Sequence, residues 1–189
     1  MFSQPIDRHL RLKLASVLDA EALFSLVERN RAELDRWFNW SRSVTSVAAA
    51  RAWLAQAGAG WADLTHIVTL VLLDSDVIGS VTLHHMNQAD GFCELGYWLD
   101  AAQRGHGYMT AAVGQVERLC FGDLKLRRVA IHADTDNQRS QALAKRRGYR
   151  FEGVLRAKFL RGDGSPGDEA VYSLLRDDWA ARAVVTTVT

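Results

Sequence analysis

Gln103-Arg104-Gly105-His106-Gly107-Tyr108-Met109-Thr110 decides how this chain is read. Its glycines, Gly105 and Gly107, stand one residue apart. They follow a strand-like run, Cys93-Glu94-Leu95-Gly96-Tyr97-Trp98-Leu99, and open a helix-like run from Tyr108 to Phe121. A strand, a glycine turn and a helix N-terminus make an anion site. Glycine permits the tight turn, and the first helical N–H groups, which have no intrahelical partner, point outward. The expectation is a phosphorylated ligand; the bland alternative is a helix-starting turn that binds nothing. A dinucleotide fingerprint would place a third glycine where Thr110 stands, with an acidic residue ending a following parallel strand. A P-loop would carry Gly-Lys-Ser or Gly-Lys-Thr, which this sequence lacks.

Outward from the turn, strands and helices alternate. Downstream, Arg128 to Ala133 alternates as a strand, and Asn137 starts a helix that stops at Gly148. Tyr149 to Leu160 and Glu169 to Leu175 form a hairpin around the glycine-rich loop 162–167. Upstream, His66–Leu73, Val77–Met86 and Phe92–Leu99 read as an antiparallel meander, with turns at Asp74-Ser75-Asp76 and from Gln88 to Gly91. Earlier still, His9 to Ala15 alternates as a half-buried strand. Asp19 can cap a helix to about Asn30, and a second helical piece ends in Arg36-Trp37-Phe38-Asn39-Trp40. Ser46 can cap a further helix to Ala57, ended by Gly58-Ala59-Gly60. The order predicts one α/β domain over 1–189 with a mixed sheet, a core from about 9 to 179 and a short tail, 180–189.

Composition narrows the class. A chain of 189 residues buries roughly 70% of its unfolded surface, so it needs neither disulfide nor metal to hold it. A formal charge of +1 gives no basic field to favour nucleic acid. The two cysteines, Cys93 and Cys120, are far apart in sequence, form no C-x-x-C, and read as small core hydrophobes in a reducing compartment. Charged Asp7, Arg8, Arg11 and Lys13 stand where a signal peptide would be apolar, and Ile67 to Leu73 is too short to span a bilayer. A cytoplasmic protein without membrane or direct nucleic-acid partners is expected.

The chain resembles the GNAT superfamily of N-acetyltransferases, and more narrowly the ribosomal-protein-serine N-acetyltransferases. Four stretches carry the resemblance: Leu34 to Trp40; Glu94 to Asp100 leading into Gly105–Thr110; Asn137-Gln138-Arg139-Ser140 with Gly148 to Gly153; and Tyr172 to Trp179. The resemblance implies a seven-stranded mixed sheet splayed into a V with flanking helices. It implies acetyl-coenzyme A in the split as cosubstrate, with no metal, and a homodimer. The pyrophosphate would sit on the N–H groups of Gly105, His106, Gly107, Tyr108 and Met109, with Arg104 adding a charge-assisted contact. The amide-bearing pantetheine arm would pair with the strand edge at Tyr97, Trp98 and Leu99 as an extra strand. A strand N–H there would polarise the thioester carbonyl. Ala102 departs from the broad motif, which has Gln or Arg three residues before the first glycine; Gln103 and Arg104 adjoin it.

Acetyl transfer needs a neutral amine, a polarised thioester and a proton for the departing thiolate. Ser140, one helical turn after Asn137, is the candidate proton donor. Many superfamily members have a tyrosine seven residues after that asparagine, and here the position is Ala144. The resemblance assigns Asn137 to the pantetheine near its sulfur; the plain alternative is a helix cap. Glu94 is the candidate general base, with His84 and His85 as competitors. Strand alternation puts the two histidines on opposite faces, so one at most looks into a cleft, and no second ligand cluster marks them as metal ligands. His106 suits phosphate or solvent contact, and His132 flanks the cofactor groove or is structural. By resemblance the region of Trp37, Phe38 and Trp40 walls the acceptor site, although core packing suits Trp37; His84 is a further candidate for acceptor contact. Asp163 and Asp168 of the hairpin loop can attract a cationic acceptor.

The leading reading is therefore direct acetyl transfer from acetyl-coenzyme A to a primary amine in a ternary complex. The acceptor is a protein N-terminal α-amine, such as that of a ribosomal protein, or a small molecule: an antibiotic, polyamine or amino acid. A non-catalytic acyl-coenzyme A-binding protein is the alternative of another class. Neither Gly-x-Ser-x-Gly nor a Cys-His setting points to an acyl-enzyme.

Overall fold

The computed structural model describes residues 3–161 and 164–186, the side chains of 183–186 excepted. Its chain order is β1 (Ser3–Pro5), β2 (Leu10–Leu14), α1 (Ala20–Trp37), α2 (Val47–Ala62), β3 (Ile67–Leu73), β4 (Asp76–Asn87), β5 (Phe92–Leu99), α3 (Tyr108–Arg118), β6 (Arg128–Asp134), α4 (Gln138–Arg146), β7 (Arg150–Leu160), β8 (Pro166–Leu175) and α5 (Arg176–Thr186). Eight strands form one sheet in the order β1-β2-β3-β4-β5-β6-β8-β7. Neighbours are antiparallel except β5 and β6.

Each face of the sheet carries its own apolar layer. β3 is buried on both sides, which explains its unbroken apolar run. Its Ile67 and Val71 pack with α3 through Val113 and Val116, and with Leu143 of α4. Its Val68, Leu70 and Leu72 pack with Leu23, Leu26 and Leu54 from α1 and α2. Thr69, the one polar residue of the run, donates its hydroxyl to Val81 O at 2.7 Å, so its burial leaves no lost hydrogen bond.

The sheet opens at one seam. β5 and β6 pair only at Phe92–Arg128, Cys93–Val129 and Glu94–Ala130. Beyond Glu94 the strands part, and the β6-facing edge of Leu95–Leu99 has no strand partner. Two helices span that side of the split and are tied together. Glu117 of α3, fully buried, receives the Arg147 guanidinium from the end of α4, with Nε–Oε1 at 3.1 Å. Gly114 makes the room: a β-carbon there would stand 2.9 Å from Arg147 Nη2.

Several expectations need correction. Among the described residues the sheet has eight strands, not seven; β1 is the three residues Ser3–Pro5, too short for any alternation to be read. α1 runs unbroken to Trp37 rather than ending near Asn30, because Leu26, Asn30 and Leu34 keep one buried stripe along it. Asp19 is not a simple cap: its carboxylate accepts from the Ser16 N–H and hydroxyl and pairs with Lys13. Ser46 does cap α2, accepting the Ala49 N–H at 3.1 Å, but the helix passes through Gly58 and Gly60 to Ala62. α3 ends at Arg118 and continues to Asp123 as a wider π turn. Of the stretch expected as a tail, residues 180–186 belong to α5, where Trp179 packs on Phe121 at 5.4 Å between ring centres, and 187–189 lie outside the described residues. None of the described helices is long and apolar enough to cross a membrane.

Candidate active site

The glycine turn lies at the open end of the split. Gly105 and Gly107 have φ of +84° and +81°, the left-handed region that glycine enters without strain, and a β-carbon at either would meet no atom within 4 Å. The turn is braced from behind by a group the sequence reading missed. Asp100, buried just after β5, accepts from Arg29 Nε at 2.8 Å and Asn30 Nδ2 at 3.2 Å, and caps the short turn at Ala102. Burial opposes its ionisation, but the Arg29 and Asn30 hydrogen bonds prevail and hold its carboxyl below the usual range. Asn30 accepts the Ala101 N–H in return, at 3.0 Å. No local sequence pattern marks this brace, since Arg29 and Asn30 lie about 70 positions from Asp100.

Cations gather beside the turn. Arg104 pairs with Glu33 at 2.6 Å, and Glu33 also holds Arg139 of α4 at 3.1 Å. Arg146 donates to Thr110 Oγ1 at 3.3 Å. His106 stacks on Tyr108 with ring centres 5.4 Å apart. Arg104 is thus engaged by a carboxylate rather than pointing free toward an anion.

Glu94 sits on the last rung of the seam, on the sheet face that α1 and α2 cover. Its Oε2 lies 3.2 Å from His85 Nδ1 and 3.8 Å from both His84 Nδ1 and His132 Nδ1. Opposite faces for His84 and His85 were expected, and the structure overturns this. The β4–β5 register shifts between His84 and Asn87, and His85 has φ +49°, so the bulge cancels the alternation and returns His85 to the side of His84. Gly96 leaves space for the His84 ring, whose Nε2 would stand 3.3 Å from a β-carbon there. Burial pulls the His84 imidazole down to about 4, against the pull of Glu94. His132 moves the other way: its hydrogen bond to Glu169, at 2.9 Å, raises it despite burial, with Glu94 assisting. An open cavity of about 650 Å³ adjoins this cluster, lined by Asp90, Phe92, Arg127, Arg128, His132, Leu155 and Val171.

On the opposite face of β5, three residues along, Tyr97 reaches α4. Its phenol lies 2.9 Å from Ser140 Oγ and 3.2 Å from Ser140 O. Asn137 caps α4, accepting the Ser140 N–H at 3.1 Å. Burial pushes the Tyr97 phenol up to about 12, with the Ser140 hydrogen bond acting against it. A tyrosine therefore stands at Ser140 after all, supplied by β5 rather than by position 144, where Ala144 is fully buried in the core. Strand alternation puts Glu94 and Tyr97 on opposite faces, which was legible; the pairing with α4 was not.

The aromatic wall is only partly as expected. Trp40 stacks on Trp53 at 5.0 Å and lies 6.0 Å from Trp98 and 6.2 Å from Phe38, on the Glu94 side of the sheet. Trp37, at the end of α1, lies instead under the Arg36 guanidinium at 4.5 Å. Asp163 lies outside the described residues. Asp168 is occupied, accepting the Ala157 N–H at 2.8 Å where β7 bulges. Cys93 and Cys120 are fully buried with sulfurs 4.0 Å apart, and burial raises the Cys120 thiol well above its usual value.

A splayed mixed sheet with a glycine turn opening a helix at the split is matched by a family model, the acetyltransferase (GNAT) domain, over residues 9–150. The chain belongs to this family and is an acyltransferase. YdaF of Bacillus subtilis (strain 168), named for ribosomal N-acetylation, is 32% identical over 184 residues, 95% of this chain and 98% of that one. The ribosomal-protein-serine acetyltransferase of Escherichia coli (strain K12) is 26% identical over 162 residues, 82% of this chain and 87% of that one. Among solved structures, RimL, the ribosomal L7/L12 α-N-protein acetyltransferase in complex with coenzyme A, has a TM-score of 0.87. It is 24% identical and covers 94% of this chain and 99% of its own. The expected cosubstrate, acetyl-coenzyme A, agrees with membership of this family.

Proposed function

We propose that this protein transfers the acetyl group of acetyl-coenzyme A to the α-amine of a protein N-terminus, a ribosomal protein being the favoured acceptor. The names of its relatives support the acceptor. The mechanism is carried by one observation: a carboxylate and a hydroxyl pair flank the same strand, on opposite faces, where the sheet splits.

The pyrophosphate rests on the N–H groups from Gly105 to Met109, beside Arg104, and the pantetheine pairs with the free edge of Tyr97 to Leu99, near Asn137. Glu94 takes the ammonium proton of the acceptor, directly or through one water, and the neutral nitrogen attacks the thioester carbon. A β5 N–H at the free edge stabilises the developing oxyanion. As the carbon–sulfur bond breaks, the nitrogen gives up its second proton to solvent, and the thiolate takes a proton from the Ser140 hydroxyl, which Tyr97 orients and to which it relays a proton from solvent. His84 and Trp40 line the acceptor side. Transfer is direct, since Cys93 and Cys120 are too buried to form an acyl-enzyme. The reading includes a homodimer, supported by exposed Phe151, Val154, Leu155 and Leu160 on the edge strand β7.

A small-molecule amine is a second reading, favoured by the cavity of about 650 Å³ beside His132, within the usual range for small ligands. The test is release of coenzyme A thiol with N-terminal peptides and with small amines as acceptors, run on Glu94→Gln and Ser140→Ala. Each variant is expected to lose roughly 10²–10⁴-fold in turnover while acetyl-coenzyme A still raises the thermal midpoint. Unchanged turnover in both variants would defeat the mechanism. Turnover on small amines alone would replace the acceptor.

A further inference from the structure

The bulge that brings His85 beside His84 and Glu94 completes a donor set whose third member, His85, has no part in the proposed acetyl transfer. Three atoms form a triangle: His84 Nδ1 to His85 Nδ1 is 3.2 Å, His85 Nδ1 to Glu94 Oε2 is 3.2 Å, and His84 Nδ1 to Glu94 Oε2 is 3.8 Å. The point equidistant from corners so spaced lies about 2.0 Å from each, which matches zinc–nitrogen bonds of about 2.0–2.1 Å and zinc–oxygen bonds of about 2.0–2.2 Å. Two imidazoles and one carboxylate suit a borderline transition ion rather than magnesium or calcium, which favour all-oxygen sites.

Access and support are both present. The His85 side chain is 70% exposed and gives a route from solvent, while Glu94, at 15%, anchors the inner corner. His85 holds a left-handed conformation that a histidine adopts at a cost, and coordination rewards that geometry. His132 and Glu169 stand behind Glu94 as a hydrogen-bonded pair, with His132 Nδ1 3.8 Å from Glu94 Oε2.

We propose that His84, His85 and Glu94 bind one divalent transition-metal ion of the zinc class, with a fourth position open to solvent, and that the bound ion arrests acetyl transfer. The coordination stands on the geometry alone. The arrest rests on the proposed role of Glu94, because a carboxylate bound to a cation no longer accepts a proton, and the cation repels an ammonium acceptor.

Zinc titration by calorimetry on the chelator-treated full chain tests the site, with cobalt as a spectroscopic substitute. One ion per chain and the ligand-field spectrum of four-coordinate cobalt are expected. His85→Asn is the informative variant, since asparagine tolerates a positive φ and keeps the bulge. It and Glu94→Gln should each weaken zinc by at least about tenfold, the lower bound seen even for a ligand's supporting partners. His9→Ala, a histidine elsewhere in the fold paired with Asp74, should bind zinc as the parent does. Absence of stoichiometric binding, or equal binding by His85→Asn and Glu94→Gln, overturns the site. Zinc that binds with those sensitivities but leaves coenzyme A release untouched keeps the site and overturns the arrest, and with it the use of Glu94 as base.

Discussion

Replacing Arg147 with methionine should be among the costliest single changes outside the reaction site. The guanidinium lies against Glu117, whose side chain is 0% exposed, in a space that Gly114 keeps clear. Methionine fills much of that volume but leaves a carboxylate buried without its partner. Removing one member of a buried ion pair costs about 3–5 kcal/mol. At roughly 2–4 °C per kcal/mol for a chain of this size, the thermal midpoint should fall by about 6–20 °C. The double variant Glu117→Leu/Arg147→Met removes both charges and should recover most of the loss, because a well-packed apolar pair often equals a buried ion pair. Urea denaturation of the two single variants and the double variant gives the coupling directly. A loss below about 1 kcal/mol in Arg147→Met would show that water reaches the carboxylate and that the tie between α3 and α4 is not a buried one. The functional reading is the same experiment with acetyl-coenzyme A added. Those helices carry the glycine turn and Ser140, so loosening their tie should shrink the ligand-induced rise in midpoint.

Glycine substitutions should separate conformational cost from steric cost. Gly107→Ala meets open space, so it should lose about 1 kcal/mol for the left-handed backbone. Gly79→Ala puts a β-carbon 2.4 Å from Trp98 O and should be clearly worse in the same thermal assay. Acid stability should track Glu152. Two Arg128 N–H groups at 2.6 Å hold its carboxyl down to about 2, and the Ser173 hydroxyl assists. The unfolded chain then binds the proton more readily than the folded one, so the contribution is present above the ordinary 4.5 and is lost as pH falls through the folded value. The stability gap between parent and Glu152→Gln should close across that window, and a gap independent of pH would refute the assignment.

What the sequence reveals here follows from range. The seven longer strands, the glycine turn, the Ser46 cap and the Asn137 cap are local patterns, and each is found close to where periodicity and capping place it. β1 is too short to show a period, and the continuity of α1 is hidden at Asn30, a polar residue in a buried position. The faces of Glu94 and Tyr97 were readable from alternation alone. The same rule failed at His85, because a bulge leaves no signature in a run such as His84-His85-Met86. The brace of Asp100 on Arg29 and Asn30 links residues about 70 positions apart, and the tie of Glu117 to Arg147 spans 30. Such pairs depend on how elements stack, which no local pattern encodes.

The seam between β5 and β6 has a consequence for the protein's persistence. Five strands on one side and three on the other are joined in the sheet by three residue pairs. An extended ligand lying along the free edge would act as a splint between the two leaves, contributing rungs that the polypeptide leaves out. Ligand held only by the folded form stabilises it by mass action. The amide hydrogens of Leu95–Leu99 should then be among those slowed most when ligand is added. A fold of this kind ties its own lifetime to the supply of the molecule it consumes.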